Sequence, residues 1–414
     1  MIALNPDYQY PCQCPKCKNN QIQTQKIRLQ GIHLLAQCQC KTCHYHFLIN
    51  LPTGHGLYYP TAIGTDDLQL YPHPLAIKWL AQPLLEAYQN PDNTPIEIEQ
   101  KVKKQYKEVI FLNCLDFLYG HALLKLLNAQ QYLEKHPDKG LILLITPNFE
   151  WLIPEGVAEV WILKTPMRKT QKWLTALENF FDQKRTQYQQ IYISPAHSHP
   201  DFRKIDPSLF FHEKRFDINK FQENNYTITF IWRHDRLWLR HPFWELLLIA
   251  SQRIKALAWC KNLLIALQDD KIRKTIKKIR KAIPEVQIYI TGQGKKTNTF
   301  AKIAQDLRTE QIDTPTEKQW AKIYSQSHIV VGIHGSNMII PTALAGGFVE
   351  ILPKDRIGNI TQDIALPYDY KDMLFLGRFL PMNTTPKQLA FHLSSIWKIF
   401  PYYRKNTAEN PEVI

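Results

Sequence analysis

Four small or hydrogen-bonding residues, His334, Gly335, Ser336 and Asn337, interrupt the apolar stretch "VVGIHGSNMIIPTALAGGFVEILP" from Val330 to Pro353. A turn of this make-up, between a buried strand and a helix, suits an anion such as a diphosphate. Gly335 lets a ligand approach the backbone, and the His334 imidazole can donate to a phosphate oxygen. Ser336 can cap the helix, whose first N–H groups have no acceptor of their own. Arg233 and Arg236, in "ITFIWRHDRLW", add guanidinium groups, which grip phosphate oxygens in pairs. Asp235 between them offers the plainer outcome of a surface ion pair. Gly292 and Lys295 belong to "TGQGKKT". This is not a Walker loop, because Gly294-Lys295 is followed by Lys296 and Tyr289 stands where the first glycine belongs. It is a glycine-rich turn after a strand, at the edge where open α/β sheets hold ligands.

Proton transfer needs a different group. In "NCLDFLYGHALLKLL", Asp116 and His121 fall in the loop or first helical turn after a strand. Histidine suits proton abstraction near neutral pH. Asp116 is a second candidate base, or else a helix cap. Tyr119 lies between them. Glu350 ends the last core strand, where a carboxylate could accept sugar hydroxyls or make a salt bridge.

Six of the eight cysteines lie in the first 43 residues, in two blocks of one pattern, "CQCPKC" and "CQCKTC". Cys14-x-x-Cys17 and Cys40-x-x-Cys43 have the form of two zinc knuckles on a β-hairpin, a four-thiolate site with a structural role. Cys12 and Cys38 are left over as neighbouring thiols or alternative ligands, and His33, His44 and His46 lie close by in sequence.

These residues need elements to position them. Strand-like and helix-like segments alternate from "EVIFLN" to "QIYISP", break around 199–225, and alternate again from "YTITFIW" to "GFVEILP". This predicts two successive α/β blocks, each a doubly wound parallel sheet, behind a small β cysteine module. The expected boundaries are a zinc ribbon at 1–50, a connector at 51–105, Rossmann-like blocks at 106–224 and 225–375, and a returning C-terminal helix at 376–414. Helices are predicted over "TNTFAKIAQDLR", over roughly 243–267, and over the basic stretch that follows.

Composition narrows the class. The chain has 414 residues, 44% apolar and 21% charged, with a net charge of +14. That balance suits an anionic partner: nucleic acid, a lipid surface or a phosphorylated substrate. Ile272, Ile276, Ile279 and Ile283 recur at helical spacing among Lys271, Arg273, Lys274, Lys277, Lys278, Arg280 and Lys281. This predicts one amphipathic helix with a basic outer face. The opening lacks the marks of a secretory signal, and no segment has the ~18 uncharged apolar residues of a membrane span. The expectation is a soluble cytoplasmic protein, peripheral to a membrane at most.

The second block carries a resemblance. "EKQWAKIYSQSHIVVGIHGSNMIIPTALAGGFVEILP" is similar to the signature of glycosyltransferase family 61 and its relatives. Gln319, Gly332, His334, Gly335, Glu350, Ile351 and Pro353 match, while Ser336 and Asn337 replace Ala-Gly. Arg233 and Arg236 stand roughly where that family has an arginine pair. The resemblance implies a GT-B fold with two lobes facing a cleft. It also implies a nucleotide-sugar donor held by Arg233, Arg236, Gly292, Lys295, His334, Gly335, Ser336, Asn337 and Glu350. Transfer to a glycan, lipid or protein acceptor would be metal-independent and inverting, with His121 or Asp116 as base. Two other readings accompany it: a nucleic-acid-binding protein using the ribbon and the basic helix, and an inactive GT-B scaffold that recruits a partner.

Overall fold

The computed structural model describes all residues except 5–7, 240–241, 254–257, 361–363, 366–370 and 409–414. The chain divides into two units, Met1–Asp201 and Phe202–Ile414.

The first unit holds two sheets. A six-stranded sheet takes β1 (Ile2–Ala3), β7 (Ile98–Val102), β8 (Glu108–Asn113), β9 (Gly140–Ile145), β10 (Glu159–Leu163) and β11 (Gln190–Ile193) in the order β1-β11-β8-β9-β10-β7. Its four inner strands are parallel, and β1 and β7 close the edges antiparallel. A five-stranded antiparallel sheet runs β2 (Ile22–Leu29), β3 (Leu34–Cys40), β4 (His46–Asn50), β5 (Ala62–Gly64), β6 (Leu70–Tyr71). Helices α1 (Gln82–Gln89), α2 (Tyr119–Leu126), α3 (Ala129–Lys135) and α4 (Thr175–Arg185) complete the unit.

The second unit is one parallel sheet of β12 (Thr227–Trp232), β13 (Gln287–Gly292), β14 (Gln305–Asp306), β15 (Ile329–Ile333), β16 (Gly347–Leu352) and β17 (Gly377–Pro381). Its order is β14-β13-β12-β15-β16-β17. Its helices are α5 (Ser208–Phe211), α6 (Pro242–Arg253), α7 (Ala258–Ala282), α8 (Thr314–Ser325), α9 (Ile339–Leu344), α10 (Lys371–Leu376) and α11 (Pro386–Ala408).

The protein is therefore α/β with two Rossmann-like sheets and a small β sheet. Parallel strands are covered on both faces, so they read as unbroken apolar runs rather than alternating ones. In β9, β12 and β15 every residue is buried. Counted along the chain, the parallel strands of the first sheet lie in the order third, second, first, fourth. Those of the second lie in the order third, second, first, fourth, fifth, sixth. In both, the winding reverses beside the first strand. A crevice opens at such a reversal, at the carboxyl ends of the strands.

Several expected boundaries move. The small sheet continues through β5 and β6, and β7 joins the large sheet, so residues 51–105 are built into both sheets rather than linking them. The cysteine-bearing sheet is no detached module. Leu29, Leu34 and Phe47 share one core with Phe111, Ile142, Trp161 and Phe181, and Arg28 clamps Glu178 of α4 at 2.5 and 3.0 Å. At the other end, β17 adds a sixth strand before α11 returns, where Leu389, Leu393, Ile396 and Phe400 enter the second core. The helix expected over Thr297–Arg308 is absent: turns lead into the two-residue β14. Arg308 is buried there against the rings of Trp232 and Phe300, which fixes the segment by packing rather than by periodicity. The apolar and basic helical stretches are continuous from Ala258 to Ala282, while 254–257 lie outside the described residues.

The register of α7 can be checked directly. Ile276 is fully buried and Lys278 exposed. Ile276→Ala should lower the second unit's stability by about 2–5 kcal/mol, and Lys278→Ala should stay within about 0.5 kcal/mol. Denaturant unfolding of the full chain measures both.

Candidate functional site

The loops at the reversal of the second sheet carry most of the residues singled out for phosphate. Arg233 and Arg236 follow β12, and the His334–Asn337 turn follows its neighbour β15. Arg233 donates from Nη1 to Asn337 Oδ1, and from Nε and Nη2 to both oxygens of Asp235, at 2.9 and 2.6 Å. Arg236 donates from Nη1 to the His334 carbonyl at 2.8 Å. Its other nitrogens bond no protein atom among the described residues. Burial lowers the Arg236 pKa, and the nearby charges of Arg233 and Arg356 lower it further. Asp235 is held down to about 2: burial would raise it, and the bond to Arg233 outweighs that. Three guanidinium groups thus gather where Asp235 and Asp355 are the local acids. The Asn337 Nδ2 amide is buried without a hydrogen-bond partner among the described residues.

Gly335 has a physical reason to be glycine. Its φ is +152°, and a Cβ there would lie 2.6 Å from Arg233 Nη1. The close approach it permits is that of the arginine across the turn.

His334 and Glu350 depart from expectation. Both are fully buried, and His334 Nδ1 lies 2.5 Å from Glu350 Oε2, while Nε2 meets the Asn359 carbonyl at 3.1 Å. Neither side chain presents to a ligand. The carboxylate and a backbone carbonyl hold the ring from both sides. The pair pins the turn whose carbonyl holds Arg236. Ser336 makes no cap: Gly335 occupies the capping position, and no side-chain cap bond forms. The helix behind is a single 3-10 turn followed by the six residues of α9, too short for a strong dipole.

The glycine-rich turn lies to one side. Gly292, with φ +113°, would place a Cβ 2.1 Å from the Trp232 carbonyl oxygen, so strand pairing demands it rather than a ligand. Lys295 is exposed and lines an open hollow of about 780 Å³, together with Trp232, His234, Asp269 and Gly294. Trp232 donates to Asp269 at 2.7 Å in its wall.

In the first sheet, the reversal falls between β8 and β11. Asp116 follows β8 and is fully buried. His55 Nε2 meets its Oδ2 at 2.8 Å, and Lys125 Nζ donates to the same oxygen at 2.9 Å. The Leu118 N–H donates to Oδ1 at 3.0 Å. Lys125 also reaches the Leu115 carbonyl at 2.8 Å. Burial alone would raise the Asp116 pKa; the Lys125 ammonium and the two imidazoles override it and hold the carboxyl well below its usual range. With both oxygens engaged, Asp116 cannot itself reach an acceptor.

His121 can. Its Nδ1 lies 3.7 Å from Asp116 Oδ1 and has no hydrogen-bond partner among the described residues, while a quarter of the side chain is exposed. His55 and His199 flank the ring at 5.1 and 6.4 Å, and Tyr119 turns away to stack on Phe149. Sequence reading missed His55, Lys125 and His199. His55 arrives from 61 positions away, held by a bond from the Gly54 N–H to the Pro195 carbonyl after β11. Arg356, also missed, follows Pro353 beside the turn. His55, Asp116 and His121 also cluster as metal-type ligands. The Lys125 ammonium already sits on this carboxylate, so a metal does not fit.

The four knuckle cysteines do come together, their ligand atoms all within 4.8 Å. Cys14 and Cys43 sulfurs are 3.7 Å apart, and those of Cys17 and Cys40 are 3.6 Å apart. A tetrahedral ion with bonds of about 2.3 Å needs sulfur–sulfur edges of about 3.8 Å, so the donor set could hold zinc. The knuckles match in backbone too. Lys18 and His44, each just past a second cysteine, have φ of 62° and 56°, and their N–H groups return to the carbonyls of Cys14 and Cys40 at 2.9 Å each. Cys12 and Cys38 stand outside the four. His33 bonds Asn50 and His46 faces Asp66.

No protein-family model matches the sequence, and no curated protein does. The likeness over 317–353 therefore remains one of motif. Among solved structures, the chain is similar to a protein assigned as a UDP-N-acetylglucosamine 2-epimerase from Listeria monocytogenes. Identity is 9% over 73% of this chain and 90% of that one, with a TM-score of 0.35. E. coli heptosyltransferase WaaC with ADP follows, at 10% identity over 74% and 100%, TM-score 0.31. The wall teichoic acid polymerase TagF gives 10% over 74% and 84%, TM-score 0.28. These likenesses are too loose to bear on the chemistry, which rests on the geometry above.

The buried Asp116–Lys125 pair makes a testable statement. Lys125→Met leaves a carboxylate buried beside neutral imidazole and should destabilise the chain by about 3–5 kcal/mol near neutral pH. In the wild type, the depressed Asp116 pKa contributes stability above the unfolded value of about 4 and loses it as pH falls through the folded one. The variant lacks that contribution, so its deficit should shrink as acid protonates Asp116. Unfolding at pH 7 and at pH 4.5 reads the difference.

Proposed function

We propose that the protein is a glycosyltransferase that draws a sugar from a nucleoside-diphosphate donor. The observation that supports this most is Arg236, half-buried beside Arg233 and Arg356 at the winding reversal, with a single bond to a backbone carbonyl. A desolvated cation among like charges is stabilised by an anion, and a diphosphate brings enough charge for two guanidinium groups. The motif resemblance around His334 and Glu350 agrees with this reading, although those two side chains support the turn instead of touching the donor.

In the reaction, the acceptor hydroxyl oxygen attacks the anomeric carbon as the bond from that carbon to the diphosphate oxygen breaks. Arg236, Arg233 and the Asn337 amide take up the charge that develops on the leaving oxygen. In the first unit the candidate base is His121, whose Nε2 could take a hydroxyl proton while Asp116 orients the ring from the Nδ1 side. A separation of 3.7 Å in the free protein can tighten in the substrate complex. Direct displacement with one base inverts the anomeric configuration. Zinc, held by Cys14, Cys17, Cys40 and Cys43, stabilises the small sheet and takes no part in transfer.

A thermal-shift panel separates this from nucleic-acid binding. UDP, GDP, CDP or ADP at about 100 times its Kd should add about 2.7 kcal/mol of stability. Arg236→Ala should abolish that shift without lowering the ligand-free Tm. A shift with RNA alone, steeply salt-dependent, would exclude the proposal. Once a donor and acceptor are found, His121→Gln should keep the diphosphate shift and lower turnover by about 10²–10⁴-fold.

Elemental analysis of the purified full chain should find one zinc per molecule. Cys17→Ser combined with Cys43→Ser should lose it, and equal zinc in that variant would remove the metal assignment.

A further inference from the structure

One solvent face of α7 changes character halfway along. In its early turns the exposed side chains include Trp259, Leu263 and Leu267, each four residues after the last. In its late turns they are Lys274, Lys277, Lys278 and Lys281. Trp259 leaves 64% of its surface in water. This is not a core face left uncovered, because Ile272, Ile276 and Ile279 already fill the core from the opposite side. The neighbouring α6 exposes Phe243 and Leu246, at 57% and 66%, while Leu248 of α6 and Leu264 of α7 join Leu237 and Leu239 in a small buried cluster.

The charge beside this apolar surface is largely uncompensated. Asp270 is used by Arg273 and Lys274, and Asp269 lies buried against Trp232 and Arg308. Lys277, Lys278 and Lys281 have no acidic partner among the described residues. A nucleic-acid surface would use the lysines but leaves Leu246, Leu263 and Leu267 without a role. A protein interface would deplete lysine around its apolar centre. A tryptophan and leucines continuing into lysines along one helix face is the make-up of a helix that lies in a bilayer surface. No helix among the described residues is long and apolar enough to cross a membrane.

We propose that α6 and α7 form a docking surface for an anionic lipid bilayer. Trp259, Leu263 and Leu267, with Phe243 and Leu246 of α6, enter the boundary between headgroups and acyl chains. Lys277, Lys278 and Lys281 face the lipid phosphates. The inference does not depend on the glycosyltransferase reading.

Co-sedimentation of the full chain with vesicles tests it. The chain should pellet with mixed phosphatidylglycerol and phosphatidylcholine, and much less with phosphatidylcholine alone. Trp259→Ser with Leu263→Ser should weaken partitioning by at least about tenfold, the scale of losing one leucine-sized burial. Lys277→Glu with Lys278→Glu and Lys281→Glu should weaken it similarly and flatten its salt dependence. These positions are exposed, so the variants should keep the wild-type Tm and circular dichroism. Failure of the wild type to pellet with anionic vesicles would overturn the proposal. So would equal pelleting of the serine variant, or tight RNA binding that the serine substitutions leave untouched and that strips the chain from vesicles.

Discussion

Arg233 and Arg236 repel each other, and the backbone turn from His334 to Asn337 holds them together nonetheless. Much of the second unit can be understood as the apparatus for that. Strand pairing sets β12 beside β15, so the loops after them must meet. Gly335 leaves the room that a side chain would take from the Arg233 guanidinium. The buried His334–Glu350 pair ties the turn to β16, and the His334 carbonyl receives Arg236. Without this support, two cations sharing a half-buried crevice would splay into water. With it they remain a preorganised receptor for negative charge, and preorganisation is what makes such a site effective when charge develops in a reaction.

The first unit solves the opposite problem with the same topology. Its reversal point buries a carboxylate, Asp116, and neutralises it with Lys125 while His55 and a backbone N–H complete its hydrogen bonds. His121, a quarter of whose side chain is exposed, lies beside this carboxylate, with Nδ1 3.7 Å from Oδ1. Both clusters arise in the same way, because each winding reversal gathers two loops at a strand edge.

Much of this was legible in the chain, for identifiable reasons. Unbroken apolar runs such as "GLILLI" and "TITFIW" mark parallel strands covered on both faces, and they located both sheets. Doublets of cysteine at knuckle spacing brought four thiols together as expected. Residue type also picked out Arg233, Arg236 and His121, which lie in a loop or first helical turn at the two winding reversals. Orientation was not legible. A histidine beside glycine at a strand end reads as a ligand contact, and only the partner at Glu350 shows that it faces inward. The helix expected at 297–308 failed because Arg308 packs between two aromatic rings, a tertiary contact that no local periodicity encodes. His55 and Lys125 were missed because their significance comes from meeting Asp116, and nothing in their own surroundings in sequence announces it.

Where a diphosphate sits decides whether Arg236 and Arg233 form a donor site. A crystal structure of the full chain with a nucleoside diphosphate addresses this most directly. The prediction is that phosphate oxygens lie within about 2.7–2.9 Å of the Arg236 and Arg233 guanidinium nitrogens, with the Asn337 amide donating alongside. A diphosphate bound elsewhere, with Arg236 still on its carbonyl and facing only solvent, would contradict it.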